Sequence, residues 1–377
     1  MRARRPPRRP GGIRRSCPAS TGAYDSYRDY DNGSLLQIGR PRPPASLDLR
    51  RPQRERYSRA RAARLPARGL SARRRRRSGR PPETIGAAAR ERGRSPGDRH
   101  VKIATSVVRS GTLSVGGDSK LLLIAGPCVI ESWETLCAAA DGLRAAADGL
   151  PFTLVFKASY DKANRSSPDS YRGPGLERGL EMLARLRERS GLPVTSDAHT
   201  PEEAARARDV LDIIQIPALL CRQNDLVAAA AQSGRIVNIK KGQFLAPAEM
   251  SNRILAARGP DGIARAIATE RGTFFGYHNL VNDFKGVAAI RAAGIPTIFD
   301  ATHSVQLPGG RGTASGGERE YAPALARAAA GAGIDGFFFE VHPDPENARC
   351  DGPNCIPLGG LRRLLEELAG IDALVRG

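Results

Sequence analysis

Three cations follow an apolar run that ends at residue 156. Lys157, Lys162 and Arg165 come directly after this run. The short polar side chains among them are Ser159, Asn164, Ser166 and Ser167. Ammonium groups, a forked guanidinium and small hydroxyl donors are the groups that bind phosphate and carboxylate in proteins. A solvated loop could share this composition, but cations placed directly after a buried strand favour the rim of a ligand site. The stretch therefore predicts an anion-binding site at a strand end.

Four residues that are distant in sequence carry side chains that bind metals: Cys128, His303, Glu340 and Asp351. Thiolate, imidazole and carboxylate donors together suit Zn(II), Fe(II) or Mn(II). Each also has a structural explanation, because a cysteine is often a small buried hydrophobe and a histidine can hydrogen-bond within a core. Cys350 and Cys355 flank Asp351, but a zinc knuckle is not expected because no second cysteine pair stands at a suitable spacing. Spacing alone leaves both interpretations open.

Eight short β-like runs alternate with amphipathic helical patterns from residue 121 onward. The predicted strands are 121–125, 152–157, 193–197, 213–217, 236–240, 265–269, 297–300 and 336–340. The predicted helices are 132–149, 175–190, 201–210, 224–233, 246–257, 282–293, 322–332 and 358–375. The sixth strand segment equally fits an extension of a helix. Eight such units in about 250 residues predict a (β/α)8 TIM barrel, an α/β fold.

A TIM barrel carries its chemistry at the carboxyl ends of its strands. Polar residues follow every predicted strand: Cys128; Lys157 to Arg165; Asp197 and His199; Gln215 and Arg222; Lys240, Lys241 and Gln243; Glu270 and Arg271; Asp300 and His303; Glu340, His342 and Asp351. Solvated loops do not explain polar residues at one end of every strand. The four possible metal ligands follow strands one, seven and eight, which become neighbours when a barrel closes. The sequence thus predicts an active site at this end.

Residues 1–118 differ in composition from the rest of the chain. They contain 30 of the 59 Lys and Arg residues but only nine of the 39 Asp and Glu residues, which leaves 29 basic and 30 acidic residues in 119–377. The first segment is rich in Arg and Pro, has a five-Arg run at 73–77, and lacks a sustained apolar period. Such a segment cannot bury enough surface to offset its ordering entropy. We therefore expect a disordered extension over 1–118 and a catalytic domain over 119–377.

The role of the extension is open from sequence. Its charge would suit RNA or a membrane surface. A transit peptide is disfavoured by its acidic residues, and a start codon placed too far upstream would explain it equally well. No run approaches the roughly 20 apolar residues of a membrane span. Six cysteines scattered over a chain of this size favour a cytoplasmic protein with free or metal-binding thiols.

Several motifs together resemble the 3-deoxy-D-manno-octulosonate 8-phosphate synthase family. They are Ile-Ala-Gly-Pro-Cys at 124–128, Phe-Lys-Ala-Ser-Tyr-Asp-Lys-Ala-Asn-Arg-Ser-Ser at 156–167, Tyr-Arg-Gly-Pro-Gly at 171–175, Gln-Ile-Pro-Ala at 215–218, Asn-Ile-Lys-Lys-Gly-Gln-Phe at 238–244, Glu-Arg-Gly-Thr at 270–273, Phe-Asp-Ala-Thr-His-Ser-Val-Gln at 299–306 and Glu-Val-His-Pro-Asp-Pro-Glu at 340–346. The resemblance covers 121–377. It implies a homotetrameric TIM barrel that condenses phosphoenolpyruvate with D-arabinose 5-phosphate in lipopolysaccharide sugar synthesis.

The resemblance also implies roles for individual residues. Phosphoenolpyruvate is expected at Lys157, Ser159, Lys162, Lys240 and Arg271. Arabinose 5-phosphate is expected at Asn164, Arg165, Ser166, Asp197 and Gln215, with the phosphate contact made across a subunit interface. The residues expected to act in catalysis are Lys162, Asp197, His303 and Asp351. Metal-dependent family members have Cys where the others have Asn, so Cys128 implies a divalent metal held with His303, Glu340 and Asp351.

The chain departs from the family pattern at two places, and two other functions compete. Pro168-Asp169 replaces an apolar residue and His, and His278 replaces Asn or Asp, which affects expected loop geometry. A 3-deoxy-D-arabino-heptulosonate 7-phosphate synthase would use erythrose 4-phosphate, but its typical Lys-Pro-Arg motif is absent from 162–167. A nucleic-acid-binding protein acting through the Arg-rich extension would leave the strand-end residues unexplained. Nucleic acid is therefore not expected as a partner.

Overall fold

Eight parallel strands close into a barrel in the computed structural model, which describes residues 103–163, 170–308 and 316–376. The barrel strands are β1 (Leu121–Gly126), β2 (Phe152–Lys157), β3 (Val194–Asp197), β4 (Ile213–Ile216), β5 (Ile236–Lys240), β6 (Ala266–Glu270), β7 (Thr297–Asp300) and β8 (Gly336–His342). Each strand pairs with the next, and β8 pairs with both β7 and β1. These pairings confirm the predicted TIM barrel, including its sixth strand.

Helices follow the strands as the amphipathic patterns predict. They are α1 (Trp133–Ala147), α2 (Leu176–Ser190), α3 (Pro201–Ala207), α4 (Asn224–Gln232), α5 (Met250–Ala256), α6 (Phe284–Ala292), α7 (Ala322–Gly331) and α8 (Leu358–Arg376), with a one-turn helix at Ala301–Ser304. Short 3₁₀ turns lie at Ala218–Leu220, Pro247–Glu249, Arg319–Tyr321, Pro345–Asn347 and Gly352–Asn354. The Ser132 hydroxyl caps α1 by accepting a hydrogen bond from the Thr135 backbone, which explains why the helix begins there.

Alternation along the strands divides the buried side chains into two layers. Leu122 and Ile124 belong to the cluster inside the barrel, whereas Leu121 and Leu123 pack outward against the helices. The strands are thus buried on both faces, as expected for a parallel sheet covered by helices. Gly126 ends β1 with φ +156°, and a Cβ there would lie 2.0 Å from the Lys157 carbonyl oxygen. Only glycine fits this approach of the two backbones, which places Cys128 beside β2.

A short hairpin precedes the barrel. Its strands, Val108–Ser110 and Leu113–Val115, are antiparallel. Val108, Leu113 and Val115 are buried in the same cluster as the interior side chains of the barrel. Ser110 Oγ donates to the Gly234 carbonyl just before β5, so the hairpin lies at the amino-terminal end of the barrel. The expectation that disorder extends to residue 118 was therefore wrong for 103–118, because three apolar side chains hold this segment to the barrel.

The remaining strands are two residues long. Thr273–Phe274 pairs with Leu280–Val281, Gln306–Leu307 pairs with Gly316–Gly317, and Ile356–Pro357 extends beside β8. The predicted disorder of residues 1–102 lies outside the described residues. Among the described residues, no helix combines the length and apolarity needed to cross a bilayer.

Candidate active site

Four of the predicted cations lie buried at the carboxyl ends of the strands. They are Lys157, Lys162, Lys240 and Arg271. The Lys157 ammonium donates to the Cys128 carbonyl oxygen at 2.7 Å and to Glu340 Oε1 at 3.3 Å. Burial opposes the charged form of Lys157, but the carboxylates of Glu340, Asp197 and Asp351 together outweigh burial and raise its pKa. This lysine therefore remains charged inside the barrel.

The pKa values of Lys240 and Lys162 are lowered, whereas that of Lys157 is raised. Burial lowers the pKa of Lys240 to about 8, although its ion pair with Asp300 acts in the opposite direction. Its ammonium also lies over the face of the Phe338 ring, 3.1 Å from the ring centroid. Burial and the neighbouring Lys157 charge lower the pKa of Lys162. An anion bound beside either ammonium group would stabilise the charged form and offset the cost of burying it.

Asp197, the last residue of β3, contacts residues at the carboxyl ends of β2 and β4. Its carboxylate accepts a hydrogen bond from Ser159 Oγ at 2.8 Å and another from the Gln215 amide, and its Oδ2 lies 3.9 Å from Lys162 Nζ. Burial opposes ionisation of Asp197, but Lys162 and Lys157 hold its pKa below the usual range. The structure thus brings Ser159, Lys162, Asp197 and Gln215 together, as their spacing at strand ends predicted.

A chain of hydrogen bonds inside the barrel orients Gln215. Asn238 Nδ2 donates to Gln215 Oε1 at 2.9 Å, and Thr269 Oγ1 donates to Asn238 Oδ1 at 2.6 Å. Because Gln215 Oε1 accepts from Asn238, its amide NH₂ is left to donate to Asp197. The polar residues of β3 to β6 therefore form one connected network.

Arg271 carries a free donor in the site. Its Nη2 donates to Gln306 Oε1 at 2.8 Å, whereas its buried Nη1 has no hydrogen-bond partner within the described part of the chain. Glu270 Oε1 accepts from the backbone of Arg271 at 3.0 Å, and Glu270 Oε2 pairs with Lys241 at 3.3 Å. This turn presents the guanidinium with one donor available for an anion.

Asp300 orients the imidazole of His303. The Asp300 carboxylate accepts from the His303 backbone at 2.9 Å, and its Oδ2 lies 2.7 Å from His303 Nδ1. Since a carboxylate only accepts, Nδ1 carries a proton, and the neutral imidazole presents the lone pair of Nε2. Nε2 lies 3.3 Å from Glu340 Oε1. Burial opposes the charged imidazole, but Asp300 and Glu340 together raise its pKa.

The four predicted metal ligands fall into two groups that share Asp351. Donor atoms of His303, Glu340 and Asp351 lie within 4.8 Å of one another, and so do those of Cys128, Cys350 and Asp351. Asp351 therefore joins the two groups. Glu340 Oε2 is buried without a hydrogen-bond partner among the described residues, which a cation would supply. The thiolate, imidazole and carboxylate donors fit a divalent metal.

Cys128 and Cys350 lie side by side, with their Cα atoms 5.9 Å apart. Both belong to one small buried cluster, and both sulfur atoms fall in the donor group that includes Asp351, in agreement with the expectation of metal-binding thiols. Cys137, Cys221 and Cys355 are free, as expected, whereas Cys17 lies outside the described residues. Cys128 binds a metal as the thiolate, so the two neighbouring cysteines must be kept reduced in any metal titration.

Three predicted sugar-binding residues, Asn164, Arg165 and Ser166, lie outside the described residues, as does the Pro168-Asp169 departure. His278, the second departure, has a left-handed backbone at φ +54°. Asn, Asp and His are the side chains that most readily adopt this region apart from glycine. The substitution therefore keeps the backbone conformation that the family residues favour.

Some residues of the site were missing from the predicted set. Asp300 and Glu270 lie at predicted strand ends but have no predicted role, Asn238 enters only as the first residue of the motif at 238–244, and Phe338 has no prediction. Their positions within apolar strands mark them only as buried. A polar residue on the inward face of a barrel strand is the signal that could have identified Asn238. Ile236, two residues earlier, belongs to the cluster inside the barrel, so Asn238 faces the interior as well.

The fold and this site define a TIM-barrel enzyme with buried cations and metal-type donors at the carboxyl ends of its strands. Residues 100–376 match the DAHP synthetase I family. The chain belongs to this family.

Three relatives of the chain share the name 2-dehydro-3-deoxyphosphooctonate aldolase. The protein from Geotalea daltonii is 54% identical over 266 residues, which cover 71% of this chain and 97% of that protein. The protein from Trichlorobacter lovleyi is 53% identical over 274 residues, covering 72% and 100%. The protein from Geobacter sulfurreducens is 51% identical over 275 residues, covering 72% and 100%. The similarity thus extends over nearly the whole length of each relative.

Proposed function

We propose that the enzyme condenses phosphoenolpyruvate with D-arabinose 5-phosphate and water to give 3-deoxy-D-manno-octulosonate 8-phosphate and inorganic phosphate. The identity of over 50% to proteins named 2-dehydro-3-deoxyphosphooctonate aldolase supports this assignment most strongly. The family description also covers the heptulosonate reaction with erythrose 4-phosphate, but the named relatives and the Lys-Ala-Asn-Arg-Ser-Ser stretch favour arabinose 5-phosphate. The product belongs to lipopolysaccharide sugar synthesis, for which a cytoplasmic homotetramer is the expected form.

Phosphoenolpyruvate lies among the buried cations in this proposal. Lys157, Lys240 and Arg271 offset the charge of its phosphate and carboxylate, and the free Nη1 of Arg271 donates to one of them. Ser159 adds a hydroxyl near the same groups. Because the cations are fixed before the substrate binds, they align C3 of phosphoenolpyruvate with the sugar aldehyde without reorganising at the moment of reaction.

Lys162 and Asp197 are the residues placed to hold and move protons. The lowered pKa of Lys162 makes its Nζ a usable acid toward the oxygen that forms when the aldehyde is attacked. Asp197 stays ionised beside it and, with Gln215, faces the sugar. Asn164, Arg165 and Ser166 would hold the sugar phosphate, with the contact made across a subunit interface. Phosphate then leaves by cleavage of its C–O bond after water adds at C2.

Cys128, His303, Glu340 and Asp351 would hold a divalent metal, Zn(II), Fe(II) or Mn(II), in the reduced protein. When bound, such an ion supplies electrostatic stabilisation to a substrate or water oxygen. His303 receives its orientation from Asp300, and Glu340 lies beside Lys157, so the metal donors and the phosphoenolpyruvate cations share neighbours.

The assignment of the sugar is tested by offering two aldoses. The reduced protein, loaded with Zn(II) or Mn(II), is mixed with phosphoenolpyruvate and either arabinose 5-phosphate or erythrose 4-phosphate, and phosphate release is followed. We expect kcat/KM with arabinose 5-phosphate to exceed that with erythrose 4-phosphate by at least about 100-fold, because a hydrogen-bonded site rejects sugars that leave its polar groups unpaired. Faster turnover of erythrose 4-phosphate would refute the assignment.

A further inference from the structure

Glu131 lies between the two chain segments that carry Cys128 and Asp351. It follows Cys128 by three residues, in the loop between β1 and α1. Its Oε1 accepts a hydrogen bond from the Arg349 backbone at 2.8 Å, two residues before Asp351. Glu131 thus holds the end of the loop after β8 through that loop's own backbone. Its side chain is only 10% exposed.

The other oxygen of Glu131 reaches the beginning of the same loop. Oε2 lies 3.5 Å from Nε2 of His342, the last residue of β8. His342 Nδ1 accepts from the Asp344 backbone at 3.0 Å, so the neutral imidazole carries its proton on Nε2, toward Glu131. One carboxylate therefore contacts both ends of the segment 342–349.

Neighbouring contacts keep Glu131 in place. The Tyr171 hydroxyl donates to the Ile130 carbonyl at 2.9 Å, and the Arg349 guanidinium lies 4.8 Å from the centroid of the Tyr171 ring. The β1–α1 loop and the loop after β8 are thus joined at a side-chain contact as well as at Glu131. Neither contact involves a donor atom of the candidate metal group.

The backbone of Asp351 is held on both sides. Asp351 has φ +48° and ψ +25°, a left-handed conformation that aspartate adopts more readily than most non-glycine residues. Contacts on either side of such a residue help to keep its conformation fixed. The Glu131 contact to Arg349 fixes the chain two residues before Asp351, and Asn354 N donates to the Asp351 carbonyl at 2.8 Å after it.

We propose that Glu131 is a positioning residue for the metal centre: it holds the loop after β8 so that the Asp351 carboxylate faces Cys128 and His303. This inference rests on the proposed function, because it concerns the metal that the four donors would hold. Glu131 itself is not a ligand, since its two oxygens contact Arg349 and His342. A residue that orients a ligand in this way changes metal affinity more than it changes substrate binding.

The test measures Co(II) affinity in the reduced full-length protein by competition with a coloured chelator. We expect Glu131→Ala to weaken Co(II) binding by about 10- to 100-fold. Glu131→Gln keeps an oxygen for Arg349 but loses the charge, so it should weaken binding only about fivefold. Glu134→Ala is the matched control, because Glu134 is an exposed acid three residues away in the first turn of α1. It should bind Co(II) as the wild type does.

Two further readouts separate positioning from general destabilisation. The melting temperature of metal-free Glu131→Ala should stay within a few degrees of wild type, and excess metal should restore kcat with KM for phosphoenolpyruvate unchanged. If Glu131→Ala does not fold, the Glu131→Gln titration decides. If the measured variant binds Co(II) with wild-type affinity, the positioning role of Glu131 is overturned but the metal centre is not. A wild-type protein that binds no Co(II) overturns the metal centre of the proposed function and this inference with it.

Discussion

At the scale of single residues, Asp300 contacts both halves of the site. Its Oδ2 pairs with Lys240, a predicted phosphoenolpyruvate cation, and lies 2.7 Å from Nδ1 of His303, a predicted metal ligand. Burial opposes ionisation of Asp300, but His303 and Lys240 hold its pKa below the usual range. It therefore remains an acceptor for both neighbours across the pH range in which an enzyme works.

Removing the charge of Asp300 should therefore weaken metal binding. We expect Asp300→Asn to lower Co(II) affinity by about 10- to 100-fold, because the imidazole of His303 loses the partner that fixes its tautomer. Chelator competition in the reduced protein measures this. Asp209→Asn is the control, since Asp209 is exposed and pairs only with its neighbour Arg208 among the described residues. Equal affinity in Asp300→Asn and wild type would contradict the role of Asp300.

Lys240 should give the reaction a pH limit on the alkaline side. Its pKa is lowered to about 8 by burial, so the ammonium is charged below this pH and loses its charge as the pH rises through it. We expect kcat/KM for phosphoenolpyruvate to fall above about pH 8, because a neutral amine no longer attracts the dianion. In Lys240→Arg the guanidinium stays charged, and the fall should move to higher pH in whatever activity remains. A fall in kcat/KM at the same pH in both proteins would show that another group titrates.

At the scale of elements, the buried carboxylate of Asp335 joins the chain before the hairpin to the barrel. Asp335, just before β8, accepts from Thr105 Oγ1 at 2.8 Å and from the Thr297 backbone at 2.8 Å. It also pairs with Arg291 of α6 at 3.2 Å. The carboxylate thus connects α6, β7, β8 and the chain that leads into the hairpin, at the end of the barrel opposite the site.

Asp335→Ala should lower the free energy of unfolding but leave the activity of the protein that remains folded unchanged. Removing one partner of a buried pair leaves the Arg291 charge uncompensated, at a cost of about 3–5 kcal/mol. Denaturant unfolding with and without the substitution measures the difference. The surface substitution Asp209→Ala should change the free energy of unfolding by less than about 1 kcal/mol. An Asp335→Ala protein as stable as the surface variant would contradict the assigned role.

The barrel elements could be predicted from sequence because each carries its own period. β2, β5 and β7 have the predicted bounds, since a short run of mainly apolar and β-branched residues, closely preceded by Gly or Pro and ended by a charged residue, defines a buried strand locally. The hairpin at 108–115 could not be predicted in the same way. Its strands have three residues each, too few to show alternation, and their burial depends on contact with barrel residues distant in sequence.

The site was predictable to the extent that it depends on strand ends. Lys157, Asp197, Lys240 and His303 follow strands directly, so a closed barrel brings them together. Partner choice was not predictable, because the hydrogen bonds from Asn238 to Gln215 and from His303 to Asp300 depend on rotamers that only the folded barrel selects. The approach of Cys350 to Cys128 depends on the path of the loop after β8, which has no periodic signal.

At the scale of the whole molecule, charge and catalysis lie in different parts of the sequence. Residues 1–118 carry all of the net positive charge, whereas every described residue assigned to the site follows residue 126. The family match begins at residue 100, and the described structure begins at residue 103. The hairpin belongs to the barrel, so the functional boundary lies before it.

Two deletions should distinguish the extension from the hairpin. Removing residues 1–102 should leave kcat/KM and the melting temperature close to those of the full chain. Removing 1–118 also removes Val108, Leu113 and Val115 from the barrel interior, which should cost about 5 kcal/mol of stability. Thermal unfolding and phosphate release are measured on both proteins. Loss of activity on removing 1–102 alone would show that the extension takes part in the reaction.

The most direct test of the account is turnover with and without metal. The reduced protein is stripped with a strong chelator, mixed with phosphoenolpyruvate and arabinose 5-phosphate, and assayed for phosphate before and after one equivalent of Zn(II), Fe(II) or Mn(II) is added, with Cys128→Ala in parallel. We predict no turnover in the stripped protein, recovery with at least one of these ions, and no recovery in Cys128→Ala. Full turnover in the metal-free protein would contradict the metal centre, and no turnover with any of the three ions would contradict the reaction itself.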